Sequence, residues 1–319
     1  MRLNKPITPL RQLALAICAV ACVPAARAAY TYEVFDVPGA LYTSVLGLNE
    51  NGDVVGSYLL PGSTTSIAFS RIGGVVQDVN VLGQTQGYAQ DIDNQGRIVG
   101  NCPVAVCPQS GFVLSPTGGA QLAPHPNAEM WQPLGVNEQS QISGWVKIDG
   151  VAHGFTWNGS TWTLLDVPGA QSTEVRNVNA QGVAVGTYTY AIAGPLGHGS
   201  FMHDAGGFTE LRYPGLIETA AWGINDAGDI VGVAAQASDW KAFVRHANGS
   251  YETLGFAGAS YLSPQDINNR GQIAGYFSDA AGSHGFLATP VPEPRAWMLM
   301  LAGLPLLRRL GPCLHRPGG

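Results

Sequence analysis

The sequence predicts an all-β fold, a six-bladed β-propeller closed by pairing of its N- and C-terminal strands. Three observations predict it. First, a ten-residue phrase, GINDAGDIVG at 223–232, is written six times; its other copies are GLNENGDVVG (47–56), DIDNQGRIVG (91–100), GVNEQSQISG (135–144), NVNAQGVAVG (177–186) and DINNRGQIAG (266–275). Second, the Asn or Asp at its third place (Asn49, Asp93, Asn137, Asn179, Asn225, Asn268) recurs at separations of 44, 44, 42, 46 and 43 residues. A unit of that size holds four short strands and their turns, and the 3.6-residue periodicity that a helical repeat would need is absent. Third, the start of the chain, YTYEVFDVPGA, matches TWTLLDVPGA in its middle, so the first residues supply strands that the last unit lacks.

Residues 1–28 read as a secretory signal. Arg2, Lys5 and Arg11 give a positive start, Leu13 to Val23 is a short apolar run, and Ala26-Arg27-Ala28 is a small-x-small site with cleavage expected between Ala28 and Ala29. The run is too short for an uncleaved anchor. Lipidation of Cys22 is disfavoured because Ala19, not Leu, stands three residues before it.

Residues 29–290 are the repeat domain, 262 residues. Its units share one logic, clearest in the fifth. TAAWGI runs into Asn225 and DIVGVAA runs out from Asp229. Asn225 is suited to bond the backbone two residues on, and Gly228 supplies a left-handed residue, so the phrase is a hairpin with a Gly bulge. The third unit has Ser140 at the Gly place, and strain or another turn is expected there. Ile230 and Val231 are adjacent and apolar, as in a strand covered on both faces. The following strand carries a Phe in every unit, at 69, 112, 155, 201, 243 and 286, which reads as core between blades. Asn158-Gly159 and Asn248-Gly249 then turn into the outermost strand. The last unit ends with HGFLATP, and nothing strand-like remains between it and Pro292. Tyr32–Val37 is therefore expected to pair antiparallel with Gly285–Thr289, building one blade from both chain ends.

These residues resemble the bacterial HAF-repeat proteins, named for a His-Ala-Phe triad after the Asn-x-x-Gly turn. The full His-small-Phe form stands at His153-Gly154-Phe155 and His284-Gly285-Phe286; Ile67, Ser110, Gly199 and Lys241 take the His place elsewhere. The resemblance covers the repeat domain and implies an extracellular repeat protein without an assigned chemistry.

Residues 291–319 form a tail. Pro292-Glu293-Pro294 is followed by an apolar run and then Arg308-Arg309. The order of these parts resembles the PEP-CTERM sorting signal of Gram-negative bacteria. That resemblance implies export, transient contact with the inner membrane through 296–307, and processing by an exosortase-type transpeptidase as partner. Ala296 to Leu307 is only 12 residues, an apolar helix of about 18 Å against a hydrocarbon core of about 30 Å. Pro305 weakens it further.

Composition narrows the function. The repeat domain has 8 Lys and Arg against 21 Asp and Glu, a net charge of −13. Such a surface excludes nucleic acid as a partner, repels anionic membranes, and repels an anionic polysaccharide unless a cation bridges the two. Of five cysteines only Cys102 and Cys107 remain in the domain. In an oxidising compartment they are expected to form a disulfide, a loop staple contributing roughly 2 kcal/mol.

No residue pattern declares a catalytic, cofactor or metal site. The Asn/Asp-rich turns lack the spaced ligands of calcium loops. Ala281-Gly282-Ser283-His284-Gly285 imitates a nucleophile elbow, but a strand follows where a helix is needed. His198 and His203 lack a carboxylate partner in sequence. Trp131, Trp145, Trp162, Trp222 and Trp240 read as packing, with one or two suited to stack on saccharide from rim loops. Two classes remain: a non-catalytic, exported binding or matrix protein with extracellular polysaccharide as candidate ligand, and a secreted glycan lyase or hydrolase with acids gathered at an axial mouth. The discriminating observation is whether three or more titratable residues from different units converge there.

Overall fold

The computed structural model describes residues 30–107, 109–121, 125–190 and 198–291. The signal segment with its Ala28–Ala29 site, the Pro292-Glu293-Pro294 motif, the apolar segment 296–307 and Arg308-Arg309 lie outside the described residues.

The described residues form strands and turns without helix, in a propeller-like arrangement of antiparallel sheets. One sheet joins β6 (Tyr88–Ile92), β7 (Ile98–Asn101), β8 (Gly111–Leu114) and β9 (Ala120–Gln121) in order. A second joins β10 (Met130–Val136), β11 (Ile142–Ile148), β12 (Val151–Trp157) and β13 (Trp162–Leu165). The third joins β14 (Ser172–Val178), β15 (Ala184–Thr189), β16 (His198–Asp204) and β17 (Gly207–Leu211), and the fourth β18 (Glu218–Ile224), β19 (Ile230–Gln236), β20 (Asp239–Arg245) and β21 (Tyr251–Leu254). The fifth sheet has eight strands. In it β2 (Tyr42–Leu48), β3 (Val54–Leu59), β4 (Ile67–Ile72) and β5 (Val75–Asp78) pair in sequence, as do β22 (Tyr261–Ile267), β23 (Ile273–Ser278) and β24 (Ser283–Pro290), whose far edge is taken by β1 (Tyr30–Phe35). A single parallel pair, Tyr42 with Ser283, links the two groups.

The pairing of the chain ends is as expected, antiparallel with Tyr32 opposite Ala288 and Phe35 opposite Gly285. Its limits differ: β1 begins at Tyr30 and stops at Phe35, so Asp36 and Val37 are not in the strand. The cause is local. Val37 to Ala40 is a turn closed by Ala40 N–H to Val37 O at 3.0 Å, with Pro38 second and Gly39 at φ +80° third. The Val37 N–H is turned to Thr43 Oγ1 at 3.0 Å. The middle of the chain repeats this turn at Val167 to Ala170, with Val167 N–H on Thr173 Oγ1.

The core lies between sheets. The six recurring Phe side chains are at most 1% exposed, and burying each contributes roughly 2–3 kcal/mol. Ile230 and Val231 are both fully buried, as a strand covered on two faces requires. Tyr32 of β1 packs between Phe256 and Phe286, with ring centroids 5.0 and 5.5 Å away, so the N-terminal strand adds to the core it closes.

Each phrase is the expected hairpin. In the fifth unit Gly228 N–H bonds Asn225 O at 3.1 Å, Asn225 Oδ1 accepts from Asp229 N–H at 2.9 Å, and Gly228 has φ +84°. Ser140 makes the same turn and holds φ +63°, a left-handed serine forced by its neighbours.

Candidate functional site

The first strand of every four-strand group ends in the same irregularity. Its register shifts by one residue just before the phrase, between Val45 and Gly47, Ala89 and Asp91, Pro133 and Gly135, Val175 and Asn177, Ala221 and Gly223, and Pro264 and Asp266. Such a bulge re-aims the residues that follow. All six phrases thereby meet around one axial cavity, lined by residues of every unit.

The turns bond to one another around that axis. The amide of each third-place Asn donates to the backbone oxygen of its counterpart in the next unit. Asn49 reaches Asp93 O at 3.2 Å and Asn137 reaches Asn179 O at 3.1 Å. Asn179 reaches Asn225 O at 3.1 Å and Asn225 reaches Asn268 O at 3.2 Å. Asn268 returns to Asn49 O at 3.1 Å, across 219 residues. The circle has one gap, because Asp93 has no side-chain N–H to offer Asn137 O. Its Oδ2 is buried without a hydrogen bond, 3.9 Å from Arg97 Nε.

A second circle runs through the following residue. Backbone N–H groups donate to side chains of the next unit: Glu50 to Asn94, Asn94 to Glu138, Ala180 to Asp226, Asp226 to Asn269, and Asn269 to Glu50, at 2.7–3.2 Å. It too has one gap, at Ala180, whose methyl group offers Glu138 no acceptor.

The first places of the six phrases alternate: Gly47, Asp91, Gly135, Asn177, Gly223, Asp266. The alternation is steric. A Cβ on Gly47 would lie 2.5 Å from Asp91 Cα, one on Gly223 2.7 Å from Asp266 Cα, and one on Gly135 2.8 Å from Arg176 O. Only every second unit has room for a side chain here. The three that enter are buried and hydrogen-bonded to backbone. Asp91 accepts from Ile92 N–H and, in the next unit, Val136 N–H, both at 2.8 Å. Asp266 accepts from Ile267 and Leu48 N–H at 2.9 Å and from Asn177 Nδ2 at 3.1 Å. Asn177 Oδ1 accepts from Val178 N–H at 2.7 Å. Burial, and then the charge of Asp266, pushes Asp91 well above the usual carboxylate range. Burial pushes Asp266 up to about 7. Burial and like charge thus both favour the protonated form of these carboxyls.

Five carboxyl groups from five units therefore line the axial cavity: Glu50, Asp91, Glu138, Asp226 and Asp266. The cavity volume is about 50 Å³, room for a few waters and too little for a sugar ring. Among the described residues no three His, Cys, Asp or Glu side chains stand close enough to hold a metal ion.

The residues singled out from sequence lie elsewhere. Cys102 and Cys107 are disulfide-bonded with Cα atoms 5.8 Å apart, in the loop between β7 and β8. Ser283 is the first residue of β24 and shares a hydrogen bond with Ser278 Oγ at 2.6 Å. His153 Nδ1 is 2.8 Å from Asp166 Oδ2 and His284 Nδ1 is 2.9 Å from Asp36 Oδ2. His203 packs on Phe208 with ring centroids 4.5 Å apart, and the side chain of His198 is outside the described residues. Trp131 is fully buried, Trp162 stacks on Trp157 at 5.3 Å, and Trp222 lies under the Arg176 guanidinium at 4.6 Å. Trp145 is half-buried, whereas Trp240 is 40% exposed. The axial residues Asp91, Asn177 and Asp266 were not singled out, although their alternation with glycine is written at the head of each phrase.

The architecture defines an all-β, propeller-like protein. No family model matches the chain, and no curated protein matches it in sequence. Solved structures are similar in outline. A streptogramin B lyase is 12% identical with a TM-score of 0.45, over 81% of this chain and 97% of that one. A gluconolactonase from Xanthomonas campestris is 11% identical with a TM-score of 0.49, over 84% and 92%. TolB from Acinetobacter baumannii is 10% identical with a TM-score of 0.48, over 75% of this chain and 63% of that one. Likeness this distant carries none of their chemistry to this chain.

Proposed function

We propose that the protein is an exported, non-catalytic binding or structural protein of the cell envelope or extracellular matrix, built as a six-bladed β-propeller. The six-blade reading divides the eight-stranded sheet at its single parallel pair, Tyr42 with Ser283, into two blades. The circle of turn-to-turn hydrogen bonds through six phrases supports that division. Export rests on the segment 1–28. Sorting rests on Pro292-Glu293-Pro294 and Arg308-Arg309, which an exosortase-type transpeptidase would process after transient inner-membrane contact through 296–307.

One observation carries the non-catalytic reading. The buried axial carboxyls, Asp91 and Asp266, spend their oxygens on backbone N–H groups of their own and neighbouring units. A general acid or nucleophile needs a free oxygen facing a substrate. The second reading, a glycan lyase or hydrolase working at the axial mouth, is favoured by the convergence of carboxyls from five units. A glycan-array screen with and without calcium, followed by product analysis of every bound glycan, tests both. Binding with no new reducing or unsaturated ends supports the first reading. Cleavage lost in Glu138→Gln or Asp226→Asn establishes the second.

A further inference from the structure

The first strands run toward the phrase turns, so Tyr42 and Tyr88, which begin β2 and β6, lie at the opposite end of the ring. A second cavity opens there, of about 320 Å³, where the closing strands meet the first unit. This is the size of a small-ligand pocket. Its lining is chemically uniform. Tyr42, Ser44 and Ser57 come from one unit, Tyr276 and Ser283 from the closing one, and Tyr88 from the next, with Leu46 as the apolar wall. Six of its seven lining residues carry a hydroxyl, and no charged side chain lines it among the described residues.

The hydroxyls are oriented. Ser66 Oγ donates to Tyr88 OH at 3.2 Å, so the 2.6 Å bond between Tyr42 OH and Ser66 Oγ has Tyr42 as donor. The Tyr88 proton is thereby left for a ligand, on a residue that is 39% exposed. Burial pushes the Tyr276 hydroxyl up, so it remains neutral. Aromatic rings continue outward from the pocket. The Tyr276 centroid lies 6.2 Å from that of Tyr261, and Tyr261 lies 5.4 Å from the exposed Trp240.

We propose that this pocket binds one residue of a neutral extracellular saccharide, with Tyr261 and Trp240 as a track for the sugars that follow. The inference rests on the binding reading above and names its site and ligand class. Sugars present C–H faces to aromatic rings and hydroxyls that both donate and accept, and this lining answers both needs without charge. A polyanion would meet a domain of net charge −13 and find no cation in the pocket.

The test is titration calorimetry of the full chain against a panel of neutral di- and tetrasaccharides, with tetragalacturonate as the anionic counterpart. At least one neutral tetrasaccharide should bind and tetragalacturonate should not. Tyr88→Ala should weaken binding at least tenfold at unchanged melting temperature, and Tyr88→Phe should weaken it less. Trp240→Ala should weaken the tetrasaccharide and leave the disaccharide unchanged. No binding across the neutral panel, or preference for the polyanion, overturns the proposal. Glycan binding that Tyr88→Ala and Trp240→Ala leave intact overturns the pocket but not the binding reading. Cleavage of the bound saccharide overturns the non-catalytic reading but not the pocket.

Discussion

His284 Nδ1 lies 2.9 Å from Asp36 Oδ2, joining residues 248 apart in the chain. His153 makes the same contact with Asp166 at 2.8 Å. Both His residues stand before Gly-Phe and both Asp residues before Val-Pro-Gly-Ala. The histidine of the triad thus holds the aspartate that follows the outermost strand, and in the last unit it fastens the chain ends together.

The clip should be pH-dependent. The hydrogen bond to Asp36 raises His284 above its usual value. A raised folded-state value means that the stabilisation is present below about pH 6.5 and is lost as pH rises through the folded value. His284→Asn should lower stability at pH 5.5 by no more than about 1 kcal/mol, since the aspartate is half exposed. At pH 8.5 the two proteins should melt together. Equal differences at both pH values would refute the charged clip.

Asp93→Asn should stabilise the protein. It supplies the missing donor toward Asn137 O while the turn bonds from Gln95 and Arg97 N–H to Oδ1 are kept. A completed bond is worth about 1 kcal/mol, and the melting temperature should rise by about 2 °C. The reverse change in another unit, Asn225→Asp, should destabilise by about 1–3 kcal/mol, because a buried carboxylate oxygen would then face Asn268 O, which keeps only its bond from Gly271 N–H. Calorimetric melting of both variants decides it; a fall for Asp93→Asn means the Arg97 contact outweighs the bond.

The axial carboxyl pair should make stability fall as pH rises. Both groups are raised in the folded state, so the folded protein binds more protons than the unfolded chain between about pH 4 and pH 7. Asp266→Asn, which copies the residue already present at Asn177, should flatten the dependence of unfolding free energy on pH in that window. Denaturant titrations at pH 4.5, 5.5 and 6.5 measure it. An unchanged slope would place the titration elsewhere.

Gly223→Ala tests the alternation at the axis. The added methyl would meet Asp266 Cα at 2.7 Å, backbone that cannot swing aside. The loss should reach or exceed the roughly 1–3 kcal/mol of an overpacked core. Gly255→Ala, where no atom lies within 4 Å and φ is likewise not positive, controls for the general effect of replacing glycine. Thermal melting showing Gly223→Ala at wild-type stability would sink the steric account.

By itself the sequence determined what local chemistry and repetition can specify. The Asn-x-x-Gly hairpins, the Phe of each third strand and the pairing of Tyr32 with the last strand all follow from short-range pattern, and Ser140 is left-handed because its turn demands it. Only the tertiary structure decided what the repeated phrase does beyond its own turn. The Asn225 side-chain oxygen closes its own turn, on a partner four residues away. Its amide reaches a unit 43 residues on, which no local rule predicts. The glycines at 47, 135 and 223 carry no local signal of their purpose. They are space, left because six first strands converge on an axis too narrow for six side chains. The tyrosines of the cavity at the other end come from three units and line one space only because the chain closes on itself there. Periodicity states which residues repeat; convergence in space states which of the repeats touch.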